Sequence, residues 1–183
     1  MKAREHDFRK LDVERFASDG GRLQGHWPLA GMHRLLGTCH AEEPPSATDR
    51  VDWQAAGERR GEGAAESNAW LQLKVDARMT LTCQRCLGPV ETPLQVERWF
   101  HFVTGEAQAA QLDAESEDDV LASTRSLDLH QLAEDELLLA LPIVPRHEVC
   151  PQPLLQATAD GLDQDVAAPN PFAALAALKR DRH

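Results

Sequence analysis

The chain has 183 residues, a formal net charge of −11 at pH 7 and 42% hydrophobic residues. This length suits one domain with an appendage, and the apolar share is sufficient for a buried core. A protein that neutralises many nucleic-acid phosphates by itself is normally basic, so the negative net charge argues against extensive direct binding of RNA. It favours a basic protein partner or a small local basic patch.

The first part of the chain, residues 1–45, is predicted to be a helical arm. A short helix is indicated around Leu11–Phe16. Four residues recur at helical spacing after Pro28: Leu29, Met32, His33 and Leu36. The charged N-terminus is followed by no apolar run, and no stretch approaches the ~20 apolar residues of a membrane span, so we expect a cytoplasmic protein without a membrane segment.

Residues 46–150 are predicted to form an α+β core. Val51–Arg60 alternates as a strand, and a longer alternation begins at Ala69. Seven apolar residues alternate there with polar ones: Leu71, Leu73, Val75, Ala77, Met79, Leu81 and Cys83. The return segment Leu94–Phe102 has a similar parity, so we expect an antiparallel sheet built around a long hairpin and packed by helices.

The tip of this hairpin carries Cys83 and Cys86, and three interpretations compete for it. A thioredoxin-like redox pair needs a helix after the first cysteine, and Gly88-Pro89 argues against one. A zinc knuckle uses two thiolates about one tight turn apart, but the pair is only half of a site. The third interpretation is a tight turn with two partly buried thiols.

An acidic stretch separates the hairpin from the next helix. Between Gly105 and Asp119 the apolar periodicity is lost, which predicts a solvated, mobile loop. The functional alternative is an acidic surface that attracts a basic partner. Val120 and Leu121 are expected to open a short strand.

The strongest helix prediction in the chain is Asp128–Leu141. Asp128 stands in the N-cap position, Gln131 follows in the capping-box position, and Pro142 ends the apolar run. The helix is expected to pack against the sheet.

Three carboxylates lie on this helix: Glu134, Asp135 and Glu136. Glu136 is expected on or beside the apolar face, whereas Glu134 and Asp135 are expected away from it. No nucleophile, phosphate-binding loop or histidine pair stands beside them, so we expect a structural role and not acid–base catalysis.

Beyond the helix, Pro142–Pro145 is expected to be extended. His147 and Cys150 follow, and the helix is expected to return them to the hairpin tip, where they would complete a tetrahedral zinc site of three thiolates and one imidazole. Against this, a lone His-x-x-Cys is a weak signal, and a stray pair is the preferred interpretation of Cys39 and His40. The candidate metal ligands are Cys83, Cys86, His147 and Cys150.

The last part, residues 151–183, is predicted to be a flexible tether followed by a short helix. Asn170 suits the N-cap and Pro171 the first helical position, while Phe172 opens an apolar stripe that ends near Lys179. This helix is expected either to dock on its own sheet or to enter a groove of a partner.

Three motifs, in order, resemble the signatures of the YceD family. They are Leu81-Thr82-Cys83-Gln84-Arg85-Cys86-Leu87, then Glu134-Asp135-Glu136-Leu137-Leu138-Leu139-Ala140-Leu141-Pro142-Ile143-Val144-Pro145, then Pro169-Asn170-Pro171-Phe172-Ala173 with Leu175, Leu178 and Lys179. Members of that family are known as large ribosomal RNA subunit accumulation proteins. The motif residues that the resemblance marks for interaction are Gln84, Arg85, Glu134, Asp135, Glu136, Pro142, Pro145, Asn170, Pro171, Phe172 and Lys179.

The resemblance implies a non-enzymatic ribosome biogenesis factor that supports the synthesis, processing or stability of 23S ribosomal RNA. The preferred mechanism is an adaptor on large-subunit precursors that engages a basic ribosomal protein or assembly factor, while Gln84, Arg85 and the C-terminal helix make specific contacts. Two alternatives stay open at this point. One is a zinc-knuckle protein that binds the RNA directly, and the other is a thiol–disulfide oxidoreductase.

Overall fold

The computed structural model describes residues 6–61 and 68–151. They belong to one unit of the chain, Met1–Cys150, apart from Pro151, which begins the second unit. The predicted tether and C-terminal helix, with Asn170, Pro171, Phe172 and Lys179, lie outside the described residues. None of the helices in the described ranges has the length and apolar character that a membrane span requires.

The described chain contains four helices and five strands. The helices are α1 (Val13–Ser18), α2 (His33–Leu36), α3 (Glu106–Glu115) and α4 (Leu129–Leu139). The strands are β1 (Arg22–Pro28), β2 (Arg50–Arg60), β3 (Asn68–Thr82), β4 (Pro89–Val103) and β5 (Asp119–Ala122). A single 3-10 turn, Leu29–Gly31, follows β1.

The strands form one sheet in the order β1-β2-β3-β4-β5. The first four pair antiparallel, and β3 and β4 make the long hairpin that the alternation predicts. The α+β class is therefore confirmed. The antiparallel pairing extends from β1 to β4, and the sheet as a whole is mixed because β5 runs parallel to β4. Parallel neighbours need a crossover connection, and α3 provides it.

One face of the sheet carries the main core. Side chains of alternate residues on β2, β3 and β4 are buried there, and Leu73 and Val75 have no exposed surface. Ala133 and Leu137 of α4 are equally buried against this face. Burial of a Leu or Val side chain contributes roughly 1.5–3 kcal/mol, so the alternation along β3 fixes which face the helices cover.

Helix α1 packs closely on the same face because a glycine leaves room for it. A Cβ at Gly57 of β2 would lie 2.6 Å from the ring of Phe16 and 3.0 Å from the backbone of Ala17. The amide of Gly57 also donates to the carbonyl of Gly21, at 2.9 Å. The N-terminal arm is thereby joined to the sheet.

Strand β1 within this arm was not expected from the sequence. Its inward positions are Leu23, Gly25 and Trp27, and the glycine interrupts the apolar alternation. A Cβ at Gly25 would lie 3.3 Å from the indole of Trp53, which stacks on Trp27 with ring centroids 4.5 Å apart. Trp27 is a core residue, with 7% of its surface exposed.

Helix α3 replaces the mobile loop predicted between Gly105 and Asp119. Only Ala109 of this helix is buried, which explains why no apolar periodicity is visible. It packs with Val103 and Val120 on the face of the sheet opposite to the main core. The short strand predicted at Val120 is confirmed as β5.

Helix α4 begins as predicted, with Asp128 as its N-cap accepting from the amides of His130 and Gln131. It ends at Leu139, two residues earlier than expected. The expectation that Glu134 points away from the apolar face is wrong, because Glu134 is buried.

Glu134 is buried because it anchors helix α2. Its carboxylate accepts the amide of Arg34 at 2.7 Å and the amide of Leu35 at 3.2 Å, and it also accepts the Arg34 guanidinium. Burial opposes ionisation, but these two backbone donors and the guanidinium lower the pKa of Glu134 below its usual value. Glu136 is buried beside Arg98, and burial raises the pKa of its carboxyl. Both carboxylates thus have partners in the fold.

We expect Glu134→Gln to lower the free energy of unfolding by about 1–3 kcal/mol at neutral pH, because the charged acceptor of two buried amides is lost. A carboxylate whose pKa is depressed by folding stabilises above its unfolded-state pKa, and this stabilisation disappears as pH falls through the folded pKa. The difference from wild type should therefore shrink on acidification. Urea unfolding at a series of pH values measures it.

The matched control is Asp135→Asn, which removes an exposed carboxylate that contacts the same Arg34. An exposed ion pair contributes about 0–1 kcal/mol, so this variant should remain close to wild type. Equal effects of the two substitutions would contradict the anchoring role of Glu134.

Candidate metal centre

The hairpin tip is a tight turn between β3 and β4. The amide of Cys83 donates to the carbonyl of Gly88 and the amide of Leu87 donates to the carbonyl of Cys83, both at 2.9 Å. Leu87 adopts a left-handed backbone conformation, with φ of 61°. No helix begins directly after Cys83, because β4 follows the turn. The helix dipole that activates a thioredoxin-type cysteine is therefore not provided here.

The segment after α4 runs back to this tip, as the zinc interpretation of the sequence requires. The amide of Gln84 donates to the carbonyl of Pro145 at 2.8 Å. The imidazole Nε2 of His147 lies 2.8 Å from the carbonyl of Pro89. These two hydrogen bonds hold the extended proline segment and the histidine against the start of the turn.

The contacts bring together the four candidate ligands of the sequence analysis: Cys83, Cys86, His147 and Cys150. One ligand atom from each lies within 4.8 Å of the corresponding atoms of the others. Ligands at 2.0–2.3 Å from a tetrahedral zinc ion are roughly 3.3–3.8 Å apart, so small side-chain shifts suffice. The group has the donor set and the size to hold a metal ion.

The orientation of His147 suits a metal ligand. Its Nε2 faces the carbonyl of Pro89, which requires the proton on that nitrogen. The lone pair of Nδ1 then points to Cys86 Sγ, 3.5 Å away. A carbonyl that fixes the tautomer of a ligating histidine is the usual outer partner of zinc sites.

Burial and hydrogen bonds also shift the pKa values of the cysteine thiols in this cluster. Burial alone would raise the pKa of Cys83, but donation from the backbone amides of Cys86, Arg85 and His147 lowers it to about 5. In the absence of a metal, burial and the neighbouring thiols of Cys150 and Cys83 raise the pKa of Cys86, against donation from Gly88. A thiolate is the form that binds metals, so the lowered pKa of Cys83 favours it as a metal ligand.

Arg85 links the two halves of the cluster. Its Nε donates to Cys150 Sγ at 3.0 Å, and its Nη2 donates to the carbonyls of His147 and Glu148 at 2.8 and 3.2 Å. Gln84 beside it is exposed. Both polar residues between the cysteines are exposed, and both make hydrogen bonds within the fold, since Gln84 Nε2 donates to the carbonyl of Thr82 at 3.2 Å.

The sequence analysis missed the support from His40. This buried residue lies with Nε2 3.3 Å from the carbonyl of Leu87, and its amide donates to the carbonyl of Thr80. Neither His40 nor Cys39 belongs to the metal-ligand group found among the described residues. The Cys-His pair gives no sequence signal of this role, because the contact depends on how the arm folds back on the hairpin.

Apolar side chains stand out from both segments of the tip. Leu87 is 70% exposed, Ile143 is 99% exposed and Val149 is 85% exposed. We call these three residues the apolar rim. Leu87 directly follows the Cys-x-x-Cys turn, whereas Ile143 lies within the proline segment and Val149 within the His-x-x-Cys segment. Folding of the cluster therefore brings three exposed apolar groups to one end of the sheet.

Residues 71–179 match the family model described as "Large ribosomal RNA subunit accumulation protein YceD". The chain belongs to this family. A protein of Haemophilus influenzae that carries the same description is 37% identical over 110 residues, which cover 58% of this chain and 63% of that relative. No solved structure matches the chain. Within the family segment lie most of the hairpin, helix α4 and the four residues of the candidate metal centre.

The left-handed conformation of Leu87 leads to a prediction about the turn. A β-branched residue is strained at positive φ, so Leu87→Val should lower the free energy of unfolding by about 1 kcal/mol. Leu87→Gly removes the strain at the cost of chain entropy and should leave stability unchanged or higher. Chemical denaturation of both variants measures the effect. A valine variant as stable as the glycine variant would contradict it.

Proposed function

We propose that this protein is a non-enzymatic, cytoplasmic factor of ribosome biogenesis that supports the synthesis, processing or stability of 23S ribosomal RNA. Membership of the family described as large ribosomal RNA subunit accumulation proteins carries this proposal. The matching segment contains the hairpin tip and α4, which are the parts of the described chain where the family motifs lie. Since the match covers 63% of the relative, its role is extended to this chain by inference.

The surroundings of the α4 carboxylates support a role without catalysis. Glu134 is engaged with Arg34 and two backbone amides, and Glu136 with Arg98. A general acid or base must be within reach of a substrate, whereas these groups are buried against other elements of the same chain. Their place in the family motif is accounted for by anchoring the fold.

We assign this protein an adaptor role on large-subunit precursors, with a basic ribosomal protein or assembly factor as the partner. The acidic residues near the end of α3 and the start of β5 provide the attraction. The apolar rim and the exposed Gln84 provide contact area at the tip. Apolar residues with little other reason for exposure are common at protein–protein interfaces.

The same proposal includes a zinc ion held by Cys83, Cys86, His147 and Cys150. Such an ion would fasten the segment after α4 to the hairpin tip, in the manner of structural zinc sites with four protein ligands. The geometry also favours a second candidate function, in which the zinc-fastened tip contacts ribosomal RNA directly, with the exposed Gln84 at the contact.

The zinc site predicts about one equivalent of zinc per chain after purification without chelators. Cys83→Ser with Cys86→Ser should remove the metal and lower the melting temperature, because metal binding energy contributes to folding. Elemental analysis and thermal unfolding measure these outcomes.

Cys39→Ser is the matched control, since Cys39 lies outside the cluster. It should retain the metal. A chain that carries no zinc, and whose melting temperature does not change when zinc is added to the chelated protein, would contradict the site.

The proposed function predicts a lower ratio of 23S to 16S ribosomal RNA in cells that lack this protein, with recovery when the wild-type chain is restored. If the metal-fastened tip is the working part, the double Cys83→Ser, Cys86→Ser variant should not restore the ratio. Quantification of total ribosomal RNA measures it.

An unchanged ratio in the deletion strain would contradict the proposed function. Gentle cross-linking in the rescued strain tests the adaptor role separately. The expected product joins this chain to a basic protein of the large subunit or its precursor, and capture of RNA alone through the tip would favour the second candidate function.

A further inference from the structure

The second face of the sheet is covered only in part. Helix α3 packs at one edge of it, over Val103 and Val120. Along β1 to β4 the remaining side chains of this face are exposed or half-buried within the described chain. We call this region the open face.

A group of flat side chains lies on the open face. Trp70 of β3 and His101 of β4 are directly opposite each other and stack in parallel, with centroids 4.6 Å apart and planes at 2°. The guanidinium of Arg60 lies over Trp99 at 3.8 Å and over Trp70 at 4.6 Å. We call these four residues the platform.

The platform differs from the other aromatic group of the chain. Trp27 and Trp53 are 7% and 6% exposed and belong to the main core. Trp70 and Trp99 are half-buried on a face that no described helix covers at their position. Burial keeps the pKa of His101 below its usual value, so its ring is neutral and stacks as an aromatic surface. Its Nε2 has no hydrogen-bond partner among the residues that the structure describes.

A polar groove continues from the platform across the strands. Its wider part has a volume of about 420 Å³ and includes Gln24, Gln54 and Lys74. A narrower part of about 100 Å³ adds Arg22 and Gln72. The pairing register aligns Arg22, Ala56, Gln72 and Trp99 in one row. Four strands span about 14 Å, so the row extends from a guanidinium to an indole over that distance.

The charge of the open face differs from that of the whole protein. It carries five basic and five acidic residues at the outward positions of β1 to β4. The basic ones are Arg22, Arg50, Arg60, Lys74 and Arg78, and the acidic ones are Asp52, Glu58, Asp76, Glu91 and Glu97. Their charges cancel, so the net charge of −11 arises entirely from other parts of the chain.

Most of these acidic groups are also neutralised locally. Glu97 pairs with Lys74 at 2.8 Å, and Glu91 pairs with Arg78 at 3.0 Å. Arg22 has no ion pair within the described ranges. At the outward positions of β1 to β4 a polyanion therefore meets no net charge. At β1, the edge away from the acidic residues of α3 and β5, it meets one guanidinium that has no ion pair among the described residues.

We propose that the open face binds a short single-stranded segment of RNA. Bases would stack on Trp99 and Trp70 and on the guanidinium of Arg60, since aromatic and guanidinium planes both accept unpaired bases. The amides of Gln54 and Gln72 would meet base edges, and Arg22 would contact a phosphate. The choice of RNA as the polyanion rests on the proposed function, whereas the site itself rests on the platform and the groove.

The test uses the full chain and a fluorescein-labelled oligouridylate of about ten nucleotides, a size within the range that single-strand binding modules cover. Fluorescence anisotropy should show saturable binding by wild type. Trp99→Ala should weaken it by about 5- to 100-fold, because one stacked base is lost. Trp99→Phe should retain most of the binding, which separates stacking from any general effect on folding.

Gln95→Ala is the matched control, because it lies on the same strand and the same face but outside the groove and the platform. It should bind as wild type does. Arg22→Ala should reduce the slope of log affinity against log salt by about 0.7, the value for one phosphate contact to a single strand.

The proposal is overturned if wild type does not bind the oligonucleotide, if Trp99→Ala binds as tightly as wild type, or if a duplex of the same length competes equally. Binding of an arginine-rich peptide in place of RNA, with the same dependence on Trp99, would also overturn it and assign the face to a protein partner. None of these results affects the ratio of ribosomal RNAs in the deletion strain, so failure of this inference is distinguishable from failure of the proposed function.

Discussion

The register between β3 and β4 is the constraint on which the rest of the molecule depends. Because side chains alternate between the faces of a strand, a slip by one residue would exchange the two faces throughout the hairpin. The observed register places Leu73 and Val75 in the core and Trp70 and Trp99 on the open face. It also ends the ladder where Thr82 meets Pro89, which leaves Cys83 and Cys86 in the turn. The core, the candidate metal centre and the platform are thus set by one pairing.

The second constraint is that two distant segments must be brought to this hairpin. Glu134 joins α4 to the N-terminal arm through the amides that begin α2, and Arg85 joins the tip to the segment after α4. In both contacts a charged group bonds to backbone groups, and such hydrogen bonds are stronger than neutral ones. Glu134 and Arg85 both lie within the segment that matches the family model. Both residues hold distant segments of the chain together.

Charge is distributed unevenly over the molecule, and this links the two proposed modes of interaction. The open face is neutral, while the acidic excess lies elsewhere, including the end of α3 and the start of β5. A basic protein at the end of α3 and a single strand of RNA on the platform would lie next to each other, because α3 packs on the same face of the sheet. An adaptor on a ribosomal precursor meets both kinds of partner, because precursors consist of RNA and basic proteins. The apolar rim at the tip adds a third surface, at the end of the sheet where the cysteines lie.

The sequence by itself determined the hairpin, the N-cap at Asp128, the strand β5 and the identity of four residues able to bind a metal, because each depends on local periodicity or on side-chain chemistry.

Tertiary structure decided the rest. Strand β1 could not be recognised from the sequence, because Gly25 interrupts its apolar alternation at the point where the indole of Trp53 packs. Helix α3 could not be recognised, because it buries little more than Ala109 and so shows no apolar periodicity. The burial of Glu134 depends on an amide pair 100 and 99 residues away in the chain. Likewise, the platform exists only because strand pairing sets Trp70 against His101 and brings Arg60 over Trp70 and Trp99. Such contacts join residues distant in sequence, and no local pattern encodes them.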